Sequence, residues 1–537
     1  MAQAEEEVDR INEIYDTDYE IGQDNVEKWG FDMHQTVFTN SAILIALFVI
    51  GSLSFPGVSK ELLEATRNWI QQVFDWVFLS TGNLFVLFCL ALIVLPVGKI
   101  RLGGEDAKPD FSTLSWFAML FAAGMGIGLM FWSVAEPVGY FTEWFGAPLN
   151  TPGFTEDSRV AAMGATMYHW GLHPWAIYGV MALSLAFFAY NKGLPLTVRS
   201  TFYPLLGERV WGWLGDLIDT LAVLATLFGL ATSLGLGAQQ AASGLNFLFD
   251  VGSGLNTQIV IIAGVTSVAV ISVVRGIEGG VKLLSNINMV LAALLLVFVI
   301  VAGSLTGFLS NVGETVSGYV KYMLPLSNPV GREDLTFYHS WTIFYWAWWI
   351  SWSPFVGMFI ARVSRGRTVR EFLTAVLIVP TLVTVVWMSA FGGNGLDQAQ
   401  NGVGELADGI SDSSLALFQM LSHLPLTAIT SFLSICLVLV FFITSSDSGS
   451  LVIDSITSGG KTDAPIPQRI FWATTEGVVA AVLLGVGGSA ALQALQAGAV
   501  STGLPFTLVL MAMCVSLARG LHHERKLMQY SDVIQGS

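Results

Sequence analysis

Apolar runs of about 20 residues, the length a helix needs to cross the hydrocarbon core of a bilayer, recur along almost the whole chain. They are read at 38–57, 76–97, 113–134, 160–190, 214–237, 257–274, 283–308, 339–361, 372–392, 425–445, 469–487 and 494–518. In lipid every backbone polar group must be satisfied internally, so the expected fold is an all-α membrane protein with twelve transmembrane helices. Composition agrees, with 53% of the 537 residues hydrophobic and 12% charged, against about 25% charged in soluble domains. The expected organisation is one membrane domain, 38–518, between an acidic N-terminal segment, 1–37, and a short tail, 519–537.

An even number of spans puts both termini on one side. Of 24 basic residues only Lys60, Arg67, Arg159, Lys321 and Arg332 then fall on the other side, so the positive-inside rule predicts cytoplasmic termini in a cell (inner) membrane. The start, MAQAEEEVDR, is acidic and polar and predicts no cleavable signal peptide. A net charge of -16 argues against a nucleic-acid partner. Cys89, Cys436 and Cys514 each sit alone in an apolar run and read as packing residues. Segments 59–72 and 309–325 mix apolar and charged residues at helical spacing, which predicts helices lying on the membrane surface.

The third run reads FAMLFAAGMGIGLMFWSVAEP, with Gly124, Gly126 and Gly128 at alternate positions. Glycine costs roughly 1 kcal/mol relative to alanine inside a helix, yet it lets the backbone unwind and a ligand approach the main chain. Unwound backbone at membrane depth lines a cavity or is buried in protein. Gly124 and Gly128 also have the spacing of close helix packing, and at this level both readings stay open.

The eighth run, WTIFYWAWWISWSPFVGMFIARVSRGR, holds Trp341, Trp346, Trp348, Trp349 and Trp352. Trp346, Trp349 and Trp352 recur every third position and predict a stripe on one face. The fourth run adds Trp170, Trp175 and Tyr178 in HWGLHPWAIY. Tryptophan in membrane proteins belongs mainly to the interfacial belts, and these clusters lie within spans instead. Stacked aromatic faces with no carboxylate nearby suit a quaternary ammonium, whose charge is attracted by ring quadrupoles and which has no N–H to donate.

At these residues the chain resembles the betaine/choline/carnitine transporter family. The matching stretches are GMGIGLMF with AEP after it (124–137), HWGLHPWAIY (169–178), YWAWWISWSPFVGMFIARVSRGRTVREF (345–372) and FFITSSDSGS (441–450). The resemblance implies a LeuT-like fold, with two leading helices followed by inverted five-helix repeats, spans 3–7 and 8–12. It places an aromatic cage at Trp170, Trp175, Tyr178 and Trp349, with Trp346, Trp348 and Trp352 along the access path and the backbone of Gly124, Met125, Gly126 and Gly128 beside them. It implies a sodium site of main-chain oxygens from Ala122, Met125 and Phe441 with the hydroxyls of Thr444 and Ser445. A second sodium site of some members uses two threonines one turn apart; Thr226 matches one, and Leu230 stands at the other. Choline carriers of the family tend to carry an aspartate where this chain has Gly128, which favours a zwitterion.

The resemblance thus implies sodium-driven uptake of a betaine-type osmolyte, glycine betaine or dimethylsulfoniopropionate, by alternating access in a homotrimer embedded in lipid. The alternatives are a sodium-independent carnitine/betaine exchanger, choline uptake, or a membrane sensor that binds without transport. No cofactor beyond sodium as coupling ion is expected. No HExxH, CxxC or carboxylate cluster points to a metal site or to an enzyme. Glu136 with Pro137 is expected to close span 3, Asp447 to sit at the inner end of span 10, and Glu476 to pair with a nearby basic or polar group. His169 and His173 read as hydrogen-bonded scaffold beside the cage. Arg362, Arg365, Arg367 and Arg370 read as a topology determinant facing anionic lipid.

Overall fold

The computed structural model describes residues 2–124, 126–275, 278–463 and 465–535. The chain begins with α1 (Ala2–Glu13) and a hairpin of β1 (Asn25–Lys28) and β2 (Phe31–His34). There follow α2 (Gln35–Ser54), α3 (Pro56–Val73), α4 (Asp75–Val94), α5 (Thr113–Gly124), α6 (Ile127–Phe141), α7 (Glu156–Trp170), α8 (Leu172–Lys192) and the short α9 (Tyr203–Leu206). The middle of the chain forms α10 (Trp213–Phe249), α11 (Leu255–Arg275), α12 (Glu278–Gly303), α13 (Leu305–Leu326) and the short α14 (Leu335–Phe337). Last come α15 (Phe344–Arg362), α16 (Val369–Gln400), the short α17 (Ala416–Ser422), α18 (Thr427–Thr457), α19 (Ile466–Gly487) and α20 (Ala491–Gln535).

Among the described residues nine helices are long and apolar enough to cross a membrane, ten when the bent pair α5–α6 is one span. The expected count of twelve differs at two places with a physical cause. Tryptophan is amphipathic and lowers the mean hydropathy of α15, while α19 and α20 run on as one helical segment, 466–531, across the tight turn Gly488–Ala490. The two segments expected on the surface are helices, α3 and α13.

Packing repeats in pairs. If α5–α6 corresponds to α15 and α7–α8 to α16, then α8 against α15 and α6 against α16 are one contact made twice. The same holds for α10 against α19 and α11 against α18, and α10 lies directly along its counterpart α18. This is the packing that two inverted repeats produce. α7, α8 and α10 are buried through most of their length, whereas α2 exposes Ile43, Leu47, Ile50 and Leu53, and α12 exposes Val290, Leu294, Val297 and Val301. An apolar belt of this extent would drive association in water, and lipid solvates it.

The N-terminal segment is folded onto the bundle. Trp29 (φ 53°) and Gly30 (φ 80°) form a two-residue turn with positive φ at both positions, which matches the twist of the flanking strands. Across from the hairpin, Asn25 donates to Ser458 O at 2.9 Å and Lys461 pairs with Asp32. Gln468 Oε1 accepts from the Asp32 N–H at 3.1 Å. The hairpin therefore clasps the connection between α18 and α19.

Candidate substrate and ion site

The glycine-rich run breaks. Its halves, Thr113–Ala123 and Ile127–Phe141, meet at 62°, and Gly126 before α6 is fully extended (φ -173°, ψ -173°). Met125 lies outside the described residues. At Gly128 a side chain has no room: a Cβ there would stand 2.7 Å from the tip of Trp170 and 3.1 Å from the tip of Trp348. Glycine here lets two indoles close onto the start of α6. At Gly126 the nearest such atom is the tip of Trp352, at 4.0 Å.

The aromatic side chains come from three elements. Trp170 ends α7, Trp175 and Tyr178 lie in the first turns of α8, and α15 supplies the rest. Gly171 permits the α7–α8 corner, since a Cβ there would meet Met167 O and the Tyr319 hydroxyl, each at 2.7 Å. Trp170 and Trp349 meet edge to face with centroids 4.9 Å apart, Tyr178 and Trp349 at 6.3 Å, and Trp175 and Tyr178 at 5.4 Å. Trp348 stacks on Trp349 at 4.7 Å and on Trp352 at 6.4 Å. All four expected cage residues thus form one continuous set of ring contacts. The Tyr178 hydroxyl and the Trp352 indole N–H are buried without a hydrogen-bond partner among the described residues.

The predicted stripe through Trp346 needs correction. Steps of three residues each fall 60° short of a full turn, so Trp346 and Trp352 are 120° apart around the helix. The ring ladder runs instead through Tyr345, Trp348, Trp349 and Trp352, the spacing of one helical face. Trp346 is fully buried on another face, stacked on His173 at 5.2 Å and tilted against Tyr168 at 5.0 Å. Its indole nitrogen abuts Gly82 of α4. Tyr345 joins this face beyond the residues expected from the sequence, and its spacing from Trp348 and Trp349 is the signal for it.

The expectation of no nearby carboxylate also fails. Glu136 is completely buried, and α6 continues past it and Pro137 to Phe141 rather than ending there. Its Oε2 accepts from Trp170 Nε1 at 2.6 Å and from the Tyr345 hydroxyl at 2.7 Å. Its Oε1 accepts from the Tyr140 hydroxyl at 3.1 Å and meets His169 Nδ1 at 2.6 Å. His169 Nε2 in turn lies 3.0 Å from Thr342 Oγ1, and the His169 carbonyl accepts from Trp349 Nε1 at 2.9 Å. With Nδ1–H donating, the neutral imidazole accepts from Thr342, and four donors surround one carboxylate. His173 bonds Asn83 at 3.1 Å, so both histidines are scaffold, as expected.

On the ion side, Phe441, Thr444 and Ser445 lie together on α18, which packs against α6 and α15. Thr444 Oγ1 donates to Val440 O and Phe441 O at 3.0 and 3.2 Å, leaving its lone pairs to accept or coordinate. Ala122 lies in the last turn of α5. Thr226 is buried in α10 with its hydroxyl on Ala222 O at 2.7 Å. One turn on, Leu230 is packed against Gly449 of α18, an apolar contact where the second-site pattern has a hydroxyl.

Asp447 lies well inside α18, which continues to Thr457, rather than at its end. Glu476 is fully buried and accepts from Ser446 Oγ at 3.1 Å, the polar pairing expected of it. Part of the arginine run ties helix ends together. Arg367 stacks on Trp116 of α5 at 4.5 Å and donates to Phe111 O at 2.7 Å, while Trp116 Nε1 donates to Ser364 at 3.0 Å. Among the described residues no group of three or more His, Cys, Asp or Glu side chains could hold a metal ion.

Comparison with known proteins identifies the family. Residues 36–526 match the profile of the betaine/carnitine/choline family transporters. A glycine betaine transporter of Vibrio parahaemolyticus is 64% identical over 96% of this chain and 98% of its own length. A glycine betaine/proline/choline/ectoine transporter of the same organism is 62% identical over 95% of this chain and 91% of its own. The glycine betaine transporter OpuD of Bacillus subtilis is 43% identical over 91% and 95%. The chain is a multi-pass membrane transporter, not an enzyme, and it belongs to the betaine/carnitine/choline transporter family.

Proposed function

We propose that this protein imports a zwitterionic osmolyte with a quaternary ammonium or sulfonium head, glycine betaine or dimethylsulfoniopropionate, by sodium-coupled alternating access. The observation that carries the reading is the ring set of Trp170, Trp175, Tyr178 and Trp349 beside the broken α5–α6 pair. Aromatic faces attract a methylated cation that cannot donate a hydrogen bond, and the unpartnered Tyr178 hydroxyl can donate to the ligand's carboxylate. The relatives' names, which include glycine betaine, proline, choline and ectoine, support an osmolyte substrate. Ala122, Met125, Phe441, Thr444 and Ser445 would hold sodium, a hard cation suited to oxygen donors. The protein would work as a homotrimer in the inner membrane with both termini in the cytoplasm, in keeping with the distribution of Lys and Arg.

Leu230 favours a second reading, exchange without sodium, because it removes a hydroxyl from the second-site pattern. Labelled glycine betaine uptake into carrier-deficient cells, compared in sodium and potassium media, separates the two. Sodium-dependent uptake supports symport; equal uptake with stimulation by internal substrate supports exchange; no uptake of any betaine rejects the substrate class. In the same assay Trp349→Leu should weaken affinity at normal expression, and an unchanged affinity places the binding site elsewhere.

A further inference from the structure

We propose that Glu136, set behind Trp170, acts through the cage as its buried counter-charge and positioning residue, making it select a positively charged head over a neutral head of the same shape. This rests on the reading of Trp170 and Trp349 as ligand-binding walls.

Four polar groups converge on the carboxylate. Its partners are Trp170 Nε1 and the Tyr345 hydroxyl on one oxygen, and the Tyr140 hydroxyl and His169 Nδ1 on the other. An indole N–H can only donate, so the Trp170 bond fixes Oε2 as an acceptor. With its oxygens facing four hydrogen-bonding partners in a site without solvent exposure, the group has no lone pair left over for a ligand. A carboxylate bare in the cage would repel the negative end of a zwitterion. Set behind Trp170, it keeps its field and hides its lone pairs.

Two walls depend on it differently. Trp170 donates to the anion itself, and such a charge-assisted bond pushes electron density into the ring, deepening the negative potential of its face. Trp349 donates to the carbonyl of His169, whose ring is fastened to the same carboxylate. Glu136 therefore polarises one wall and orients the other. Tyr345, bonded to Oε2 and stacked on Trp349 at 5.7 Å, closes the loop between them.

Glu136→Gln is the informative change. Its carbonyl can still accept from Trp170 and Tyr345, and its amide can donate to Tyr140 and, once the His169 ring proton shifts to Nε2 and is donated to Thr342, to His169 Nδ1, so shape and hydrogen bonding survive while the charge is lost. The assay is equilibrium binding of labelled glycine betaine to the purified full-length protein in detergent, competed by 3,3-dimethylbutyrate, in which carbon replaces the ammonium nitrogen. In the parent protein betaine should bind far more tightly than the neutral-headed isostere. In Glu136→Gln the ratio of the two affinities should fall by about tenfold, the change that ~1.4 kcal/mol produces. A purely structural role would weaken both ligands alike and leave the ratio intact, and that result overturns the proposal. If Glu136→Gln does not assemble, Trp170→Phe keeps a ring and deletes the N–H bridge; the ratio should fall severalfold, and an unchanged ratio again overturns it. Trp349→Leu runs in parallel: undiminished betaine binding in that variant rejects the cage itself, whereas weakened binding with an unchanged ratio in Glu136→Gln rejects only the role of the carboxylate.

Discussion

Gly128→Ala tests whether the rings around the helix break are a tensioned binding surface. The added Cβ would stand 2.7 Å from the tip of Trp170 and 3.1 Å from that of Trp348. Carbon atoms rest about 3.5–4.0 Å apart, so Trp170 must retreat by about 1 Å. Its far side is not free to follow. Trp170 Nε1 is 2.6 Å from Glu136 Oε2, and a retreat of that size lengthens the bond to the ~3.5 Å limit of hydrogen bonding or tilts the ring into Trp349, 4.9 Å away. Overpacking of this kind costs about 1–3 kcal/mol, which corresponds to roughly 5- to 150-fold in Kd if the displaced wall binds substrate. The measurement is equilibrium binding of labelled glycine betaine to purified protein. Gly51→Ala serves as control, because a Cβ on that residue of α2 meets nothing within 4 Å. A Kd within twofold of the parent, at normal expression, refutes the idea that Trp170 is both immobilised and part of the binding surface.

Gly82→Ala should do the opposite, since its Cβ would collide with Trp346 on the face of α15 away from the cage ladder: the detergent melting temperature falls while betaine Kd holds, and a large loss of affinity would return Trp346 to the substrate path. Thr444→Val removes a proposed sodium ligand and should raise the sodium concentration for half-maximal uptake by roughly five- to tenfold; an unchanged sodium dependence moves the ion elsewhere. On the tail, His523 Nδ1 lies 2.9 Å from the Tyr15 hydroxyl, and burial, followed by the cations Arg519, His522, Lys192 and Lys526, pushes its pKa from 6.5 down to about 4. With α1 packed against α20, this ring binds fewer protons than it would in a solvated, unpacked tail, so the packing is fully supported above pH 6.5 and weakens as pH falls from 6.5 toward 4. Amide exchange of residues 2–13 should accelerate over that window, and a rate that stays flat there contradicts the linkage.

Several features were written locally enough to be read from the chain. Hydrophobic runs of bilayer length need no partner to declare themselves, because lipid imposes the condition on each segment separately. The triple glycine and the short i, i+3 pair of Trp175 and Tyr178 likewise express backbone freedom and helix geometry within a few residues. The ladder on α15 is less legible. Five tryptophans crowd one stretch, and their three-residue rhythm includes Trp346 and omits Tyr345. Only the neighbouring helices decide which side of α15 faces the cage and which faces Gly82 of α4.

Glu136 shows the limit most clearly. Near an Ala-Glu-Pro sequence it resembled a helix terminator, because its four partners, Tyr140, His169, Trp170 and Tyr345, come from α6, α7 and α15. A buried carboxylate is tolerable only when such donors converge, and convergence across three helices leaves no mark on any one of them. The sequence by itself determined that this chain lives in a membrane, breaks one helix at glycine and crowds aromatic rings into two others. Tertiary structure alone decided that the rings meet and that a negative charge sits behind them, since burial and hydrogen-bond closure belong to packed helices rather than to segments.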